Sequence, residues 1–117
     1  LTAEGHSAIR LQRQNNDPDS PIWDPDNCLK DLARVGEIYA VVHLAGENIA
    51  DGRWSKTKKN RILNSRVKGT KLLAEYFANS NQKPRVIISA SAVGFYGDRG
   101  AEIVDEDSKS GNGFLAI

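Results

Sequence analysis

The stretch YAVVHLAG, from Tyr39 to Gly46, decides the fold of this chain. Its continuous apolar run fits a parallel strand that is covered on both faces better than an alternating surface strand. A residue without a side chain ends the run, which lets the backbone turn and pass close to a flat ligand. A second run, RVIIS from Arg85 to Ser89, lies between Pro84 and small residues and predicts another buried strand.

The longest periodic segment lies between these two runs. Ser55 is a good N-cap. Mostly apolar residues then recur at three- and four-residue steps as far as Asn79 and Ser80. The recurring positions are Ile62, Leu63, Val67, Thr70, Leu73, Ala74 and Phe77. This pattern predicts one long helix from about residue 55 to residue 79.

Shorter elements are predicted towards both ends of the chain. Residues 7–13, SAIRLQR, indicate a strand near residues 7–12, which gives way to a polar loop, QNNDPDSP. Ile22 and Trp23 indicate a weaker extended piece, and residues 28–35, CLKDLARV, have the spacing of a short helix. A further helix start is expected at residues 113–114.

Strands that alternate with helices at this spacing favour βαβ units and a parallel sheet. We therefore expect an α/β fold, a partial doubly wound parallel sheet of the Rossmann type. The strands near residues 7–12, 39–45 and 85–89 are predicted to be parallel, with the long helix on one face. Ligands of such sheets bind outside the carboxyl ends of the strands, which directs attention to the loops at these ends.

Composition and charge narrow the choice of partner. Sixteen basic residues against fifteen acidic ones leave a net charge of +1, so no overall field favours nucleic acid or a membrane surface. The basic cluster at residues 56–61 is interpreted as a solvated helix face. A single cysteine, Cys28, and the lack of metal-ligand spacing predict no disulfide and no metal site, and favour the cytoplasm or an organellar matrix or stroma. No apolar run approaches the ~20 residues of a membrane span.

Three segments resemble pieces of the extended short-chain dehydrogenases. They are HLAGEN at 43–48, NSRVKGTKLL at 64–73 and SASAVGFYGD at 89–98. IWDP at 22–25 and DGRW at 51–54 also fit the atypical epimerase-like subgroup that is sometimes labelled as cell-division inhibitors. The chain thus resembles the NAD(P)-dependent epimerase/dehydratase family over nearly its whole length, although a full member would be more than twice as long.

This resemblance implies a dinucleotide cofactor and a small-molecule substrate, and it is compatible with a homodimer. Residues 1–117 would be a fragment of a single NAD(P)-binding Rossmann domain. The first strand and the glycine-rich turn that holds the pyrophosphate would precede Leu1, and the C-terminal part of the domain would follow Ile117.

The resemblance also assigns cofactor contacts. Leu44, Ala45 and Gly46 would line the adenosine side of the cofactor, the alternative being a glycine that merely turns the chain. Gln12 and Arg13 end the predicted strand at which an acidic residue would bond the ribose of NAD and a basic one can accept the 2′-phosphate of NADP. Arg13 therefore favours NADP, with NAD retained and a solvated arginine as the alternative.

Ser91 aligns with the family's catalytic serine, whose hydroxyl bonds a substrate carbonyl or alcohol during hydride transfer. That role requires position and not a perturbed pKa; the alternative is a serine that caps the loop. Ser89 would neighbour the nicotinamide ribose. Arg66 stands on the long helix where many relatives carry asparagine, and its guanidinium can reach a cofactor phosphate or a substrate carboxylate unless it is a plain surface arginine.

One departure from the family leaves two functions open. Active members pair the serine with a tyrosine and a lysine four residues later, and an ungapped count places the tyrosine position at about Ile117. Tyr96 is the nearest tyrosine, but the Tyr-Gly context favours a packing role. The chain is predicted to be an NAD(P)-dependent oxidoreductase or epimerase-like protein for a small polar substrate, sugar-nucleotide-like or carbonyl. The alternative is a non-catalytic nucleotide-sensing or partner-binding protein that retains the Rossmann fold.

Overall fold

The computed structural model describes residues 2–13 and 20–117. Within these ranges the chain forms two separate two-stranded sheets and one long helix. The elements are strands β1 (Ile22–Asp24), β2 (Cys28–Lys30), β3 (Ala40–His43) and β4 (Val86–Ser89) and helix α1 (Lys56–Asn79). Short 3-10 helices cover Thr2–Glu4, Leu32–Val35, Val93–Phe95 and Phe114–Ala116. The last of these begins where a helix start is predicted.

Helix α1 forms as its sequence predicts. The Ser55 side chain accepts a hydrogen bond from the backbone N–H of Lys58 at 3.2 Å, which satisfies one of the unpaired donors of the first turn. Ile62, Leu73 and Phe77 are buried and share one face of the helix. The amphipathic pattern therefore determines which side of α1 packs inward.

Strands β3 and β4 are parallel, as predicted, and α1 connects them. Their register pairs Ala40 with Val86 and His43 with Ser89. Backbone hydrogen bonds extend the ladder at both ends, from Arg85 N to the carbonyl of residue 39 at 2.9 Å and from residue 90 to the His43 carbonyl at 3.0 Å. This βαβ unit confirms the central part of the predicted fold, with strands one to three residues shorter than predicted.

The prediction of a strand near residues 7–12 is wrong for most of these residues. Only Gln12 forms a bridge, parallel to Ile22, with backbone hydrogen bonds from Gln12 N to the Pro21 carbonyl and from Trp23 N to the Gln12 carbonyl. An alternating pattern becomes a strand only where a neighbouring strand satisfies its backbone groups, and residues 7–11 have no such neighbour among the described residues. The polar loop predicted next lies largely outside the described residues.

The short helix predicted over residues 28–35 is wrong in its first half. Residues 28–30 form β2, which pairs antiparallel with β1, and only residues 32–35 are helical. The Asp24 carboxylate accepts hydrogen bonds from the Asp26 backbone N–H at 3.1 Å and from the Asn27 side chain at 2.8 Å, which closes a tight turn. This local turn chemistry favours a hairpin over the helical spacing. The extended piece at residues 22–23 is confirmed as β1.

The core lies between the β1–β2 hairpin and α1. Trp23, Leu32, Leu73 and Phe77 form its buried cluster. The apolar residues of the β3–β4 sheet are more open, since Val42 is 50% exposed and Ile88 is 52% exposed. A parallel sheet is ordinarily covered on both faces. The apolar sequences of β3 and β4 are typical of such buried strands, but their faces are partly exposed in this structure.

Candidate functional site

The carboxyl ends of β3 and β4 lie side by side because the two strands are parallel. His43 and Ser89 are register partners, and the backbone N–H of Ala90 donates to the His43 carbonyl at 3.0 Å. Residues 44–46 and 89–91 therefore leave the sheet at the same edge. The structure thus brings the predicted cofactor loop and the predicted serine loop together, in the place where α/β sheets bind ligands.

Arg66 reaches this edge from α1. A Cβ built on Gly46 would lie 3.0 Å from Arg66 Cζ, 3.0 Å from Nη1 and 3.2 Å from Nη2, so the guanidinium is packed directly on the glycine. Any side chain at position 46 would press on the guanidinium. Within residues 2–13 and 20–117, Arg66 forms no ion pair and no hydrogen bond. A half-buried cation without an anionic partner therefore stands beside the loop after β3.

Glu47 ties this loop to α1. Its backbone N–H donates to Ser65 Oγ at 2.9 Å, and that hydroxyl donates to the Ile62 carbonyl at 2.9 Å. Its carboxylate Oε1 lies 2.9 Å from Lys58 Nζ and 3.4 Å from Arg61 Nε. The hydrogen bond from Lys58 is the largest cause that holds the pKa of Glu47 below its ordinary value. Main chain and side chain are both attached to the helix.

Arg13 adds a further positive charge near the same loop. Its charge contributes to lowering the pKa of both Glu47 and Asp24, after the stronger effects of their hydrogen-bond partners. Gln12 is held in place by the backbone contacts to β1 described above, and its side-chain amide donates to Ser20 Oγ at 3.4 Å. Arg13 therefore acts on the Glu47 carboxylate through its charge alone, whereas Arg66 packs directly on Gly46.

His43 is buried behind this edge, beside Trp23 and against α1. The two rings have centroids 5.5 Å apart and are tilted by 53°. A Cβ on Gly69 would lie 3.5 Å from His43 Cε1 and 3.1 Å from Trp23 Cζ2, so both rings pack tightly on the helix. Burial first, and the charge of Arg66 second, lower the pKa of His43. Both effects disfavour the charged imidazolium.

Ser89 and Ser91 are exposed at the edge. Neither hydroxyl forms a hydrogen bond to any residue that the structure describes. Ser91 opens the loop that leads into the 3-10 helix at Val93–Phe95. The ring of Tyr96 packs edge-on against Phe95 with centroids 5.2 Å apart, which agrees with a packing role for this tyrosine. The structure therefore groups the serines by strand register, without a contact that joins them to the arginines.

The 3-10 helix at Phe114–Ala116 closes one side of the edge. Leu115 lies against Gly94, close to the serine loop. Phe114 packs edge-on against Trp54, with centroids 5.7 Å apart, and Lys59 Nζ lies 5.6 Å from the Phe114 ring centroid. This short helix thereby bridges the loop after β4 and the start of α1.

His43 and Glu47 are the two residues of this edge that the sequence interpretation did not select. His43 stands two positions after the partly buried Val41, so strand alternation alone signals an inward side chain. Glu47 has no such signal. Its partner Lys58 lies 11 residues further along the chain, across an irregular loop.

The chain matches the family model described as "NAD dependent epimerase/dehydratase family" over residues 1–113. The chain belongs to this family. An epimerase family protein of Mycobacterium leprae is 34% identical over 99% of this chain and 38% of its own length. The human epimerase family protein SDR39U1 is 32% identical over 96% of this chain and 37% of its own length. The family resemblance carried by the sequence motifs is thus confirmed.

A crystal structure of the human protein shares the fold of this family member. Human SDR39U1, isoform 2, solved with NADPH, superposes with a TM-score of 0.79 at 30% identity. The match covers 99% of this chain and 39% of that chain. The Rossmann-type α/β class is thereby confirmed, and the chain spans well under half the length of these relatives.

No helix in the described part of the chain is long and apolar enough to cross a membrane. The same residues contain no group of three or more His, Cys, Asp or Glu side chains that could hold a metal ion.

Proposed function

We propose that the carboxyl edge of β3 and β4 binds a nicotinamide dinucleotide phosphate, NADP(H), through Arg66 and Arg13. The observation that carries this proposal is the guanidinium of Arg66, which packs on Gly46 at that edge and has no anionic partner among the described residues. A guanidinium presents its donors in a fork that matches phosphate oxygens. A phosphate of the cofactor supplies the missing anion.

The two arginines divide the phosphates of the cofactor between them in this proposal. Arg13 ends the segment that corresponds to the second strand of the fold, where a basic residue accepts the 2′-phosphate of the adenosine ribose. Arg66 then contacts the cofactor at or next to the pyrophosphate, and residues 44–46 line the adenosine. The human relative that shares the fold was solved with NADPH, which supports the phosphorylated cofactor.

Residues 1–117 constitute part of a single nucleotide-binding domain in this account. The support is the exposed apolar surface of β3 and β4, which includes Val42, Ile87 and Ile88. Strands of this composition are buried on both faces in parallel sheets. Further strands and helices of the same domain would cover these faces, in keeping with the greater length of the relatives.

The reaction we propose is hydride transfer or epimerisation at a small polar substrate, sugar-nucleotide-like or carbonyl. Ser91 supplies the hydrogen bond to the reacting oxygen, and Ser89 neighbours the nicotinamide ribose. The support is that both hydroxyls are exposed at the edge. A non-catalytic, nucleotide-sensing protein is the second candidate, favoured by Ile117 at the position counted for the family's tyrosine.

The test is a titration of the full-length protein with NADPH and NADH, together with two variants. Arg66→Met should weaken NADPH binding by about 10- to 100-fold, the scale of one charge-assisted hydrogen bond. The matched control is Arg34→Met, since Arg34 is 70% exposed and pairs with Asp31 away from the edge; it should stay within about twofold.

Two results decide between the candidates. Equal NADPH affinity for Arg66→Met and the wild type would overturn the cofactor site. Cofactor binding without hydride exchange, across a panel of sugars, ketones and alcohols, would favour the sensing protein over the enzyme.

A further inference from the structure

Glu47 carries two cation contacts on a single atom. Its Oε1 lies 2.9 Å from Lys58 Nζ and 3.4 Å from Arg61 Nε. The Lys58 side chain is 6% exposed, whereas the Arg61 side chain is 62% exposed. One carboxylate oxygen therefore engages both a buried and an exposed cation from the first turns of α1.

The main chain of Glu47 is held in place independently of the charge of its side chain. The Glu47 backbone N–H donates to Ser65 Oγ, which in turn donates to the Ile62 carbonyl, each at 2.9 Å. The residue also follows Gly46 directly, and Gly46 is covered by the Arg66 guanidinium. Glu47 is therefore anchored next to the proposed cofactor edge by its backbone as well as by its ion pairs.

The cations of the edge fall into two groups. Lys58 and Arg61 share the carboxylate of Glu47, whereas Arg66 has no anionic partner among the described residues. We propose that Glu47 is a specificity-determining residue that withholds Lys58 and Arg61 from the ligand and leaves Arg66 and Arg13 for it. This inference rests on the proposed cofactor site.

Such a charge arrangement selects the shape of the anion. A dinucleotide spreads its phosphates, so that they can meet two separate arginines. A compact polyanion such as inorganic pyrophosphate needs several cations close together. The Glu47 carboxylate occupies the adjacent cations Lys58 and Arg61 and also repels the negative charge of such an anion. The edge should therefore bind NADPH and discriminate against free pyrophosphate.

The test compares inorganic pyrophosphate with NADPH on the full-length protein, by calorimetry at two salt concentrations. Glu47→Gln keeps the shape and an oxygen for Lys58 but removes the charge. Pyrophosphate affinity should rise about 5- to 10-fold with a steeper salt dependence, since two cations are released. NADPH affinity should change less than about threefold, since Glu47 forms no ion pair with Arg66 and Arg13 has the weakest effect of the three cations that act on its carboxylate.

A matched control comes from the same helix. Lys68 Nζ forms an exposed ion pair of 2.8 Å with Asp26 in the β1–β2 turn. Lys68→Gln should leave both affinities within about twofold. Loss of an ion pair from α1 would thus be separated from loss of the Glu47 charge.

Arg61→Gln keeps the inference testable even if Glu47→Gln fails to fold, because Arg61 is largely exposed. Arg61→Gln alone should change the affinity for either ligand by less than about twofold, because Arg61 is already paired with Glu47. When combined with Glu47→Gln, it should remove most of the gain in pyrophosphate affinity.

Two outcomes would overturn the inference: unchanged or weaker pyrophosphate binding by folded Glu47→Gln, or a loss above about fivefold for either ligand in Arg61→Gln alone. A wild-type protein that does not bind NADPH would instead overturn the proposed function itself, and this inference with it.

Discussion

Gly46→Ala tests the contact on which the proposed cofactor site depends. The new Cβ would lie 3.0 Å from Arg66 Cζ and Nη1, which is tighter than ordinary van der Waals contact, so the guanidinium must retreat by a few tenths of an ångström. The far end of a flexible side chain can make this move, and residue 46 does not have a positive φ. We expect a stability change within about 1 kcal/mol.

This retreat should reduce NADPH affinity much more than it reduces the stability of the fold. A displaced guanidinium loses part of a charge-assisted hydrogen bond, and half of its ~3 kcal/mol corresponds to about tenfold weaker NADPH binding. The assay pairs urea unfolding with NADPH titration on the same full-length protein. Wild-type affinity in Gly46→Ala, with the protein folded, would refute the contact between Arg66 and the cofactor.

Gly69→Ala is the matched comparison, because its Cβ would meet rings and not a flexible chain. Trp23 Cζ2 would lie at 3.1 Å and His43 Cε1 at 3.5 Å. Overpacking costs about 1–3 kcal/mol, of which about 1 kcal/mol is offset by the better helix propensity of alanine. Gly69→Ala should therefore lose more stability than Gly46→Ala and less NADPH affinity per folded molecule. The reverse order would contradict the packing described.

Three further predictions concern single residues of the edge. Ser91→Ala should keep NADPH affinity within about twofold and lower turnover by about 100-fold once a substrate is found, whereas unchanged turnover removes Ser91 from catalysis. Because the pKa of His43 is lowered from 6.5, its contribution to stability is complete above that value and is lost as the pH falls below it. His43→Gln should flatten this part of the urea-midpoint profile, and an unchanged slope would show that another group titrates. Ser65→Ala removes the acceptor of the Glu47 N–H, so hydrogen exchange of that amide should accelerate; an unaltered rate would contradict the attachment of the loop to α1.

The central βαβ unit was predictable because each of its signals is local. The apolar runs that end at Gly46 and Ser89 require burial on both faces, and the periodic segment after Ser55 can bury only one side of a helix. Parallel pairing follows from the helix between the strands. These features depend on a few neighbouring residues, and the structure confirms the helix, the two strands and their parallel pairing. It does not confirm the predicted burial, because all four residues of β4 are exposed.

The errors arise where a distant or a competing contact decides. Residues 7–11 carry a strand pattern but have no adjacent strand among the described residues, and residues 28–30 follow a hairpin turn that Asp24 closes with its side chain. Helical spacing cannot reveal that turn, because it depends on side-chain hydrogen bonds.

The site shows the same limit. The loops at the carboxyl edge follow from strand register, so residues 44–46 and 89–91 could be selected from the sequence. The packing of Arg66 on Gly46 could not, since it depends on the helix lying over the loop at a distance set by tertiary contacts. The role of Glu47 was missed for the same reason, because its partners come from a different element.

A crystal structure of the full-length protein with NADPH would test the central claim most directly. We expect the cofactor at the carboxyl edge of β3 and β4, with a phosphate oxygen within about 3.2 Å of an Arg66 guanidinium nitrogen and Gly46 beneath it. NADPH bound elsewhere, or bound at this edge with no phosphate in contact with Arg66, would contradict it.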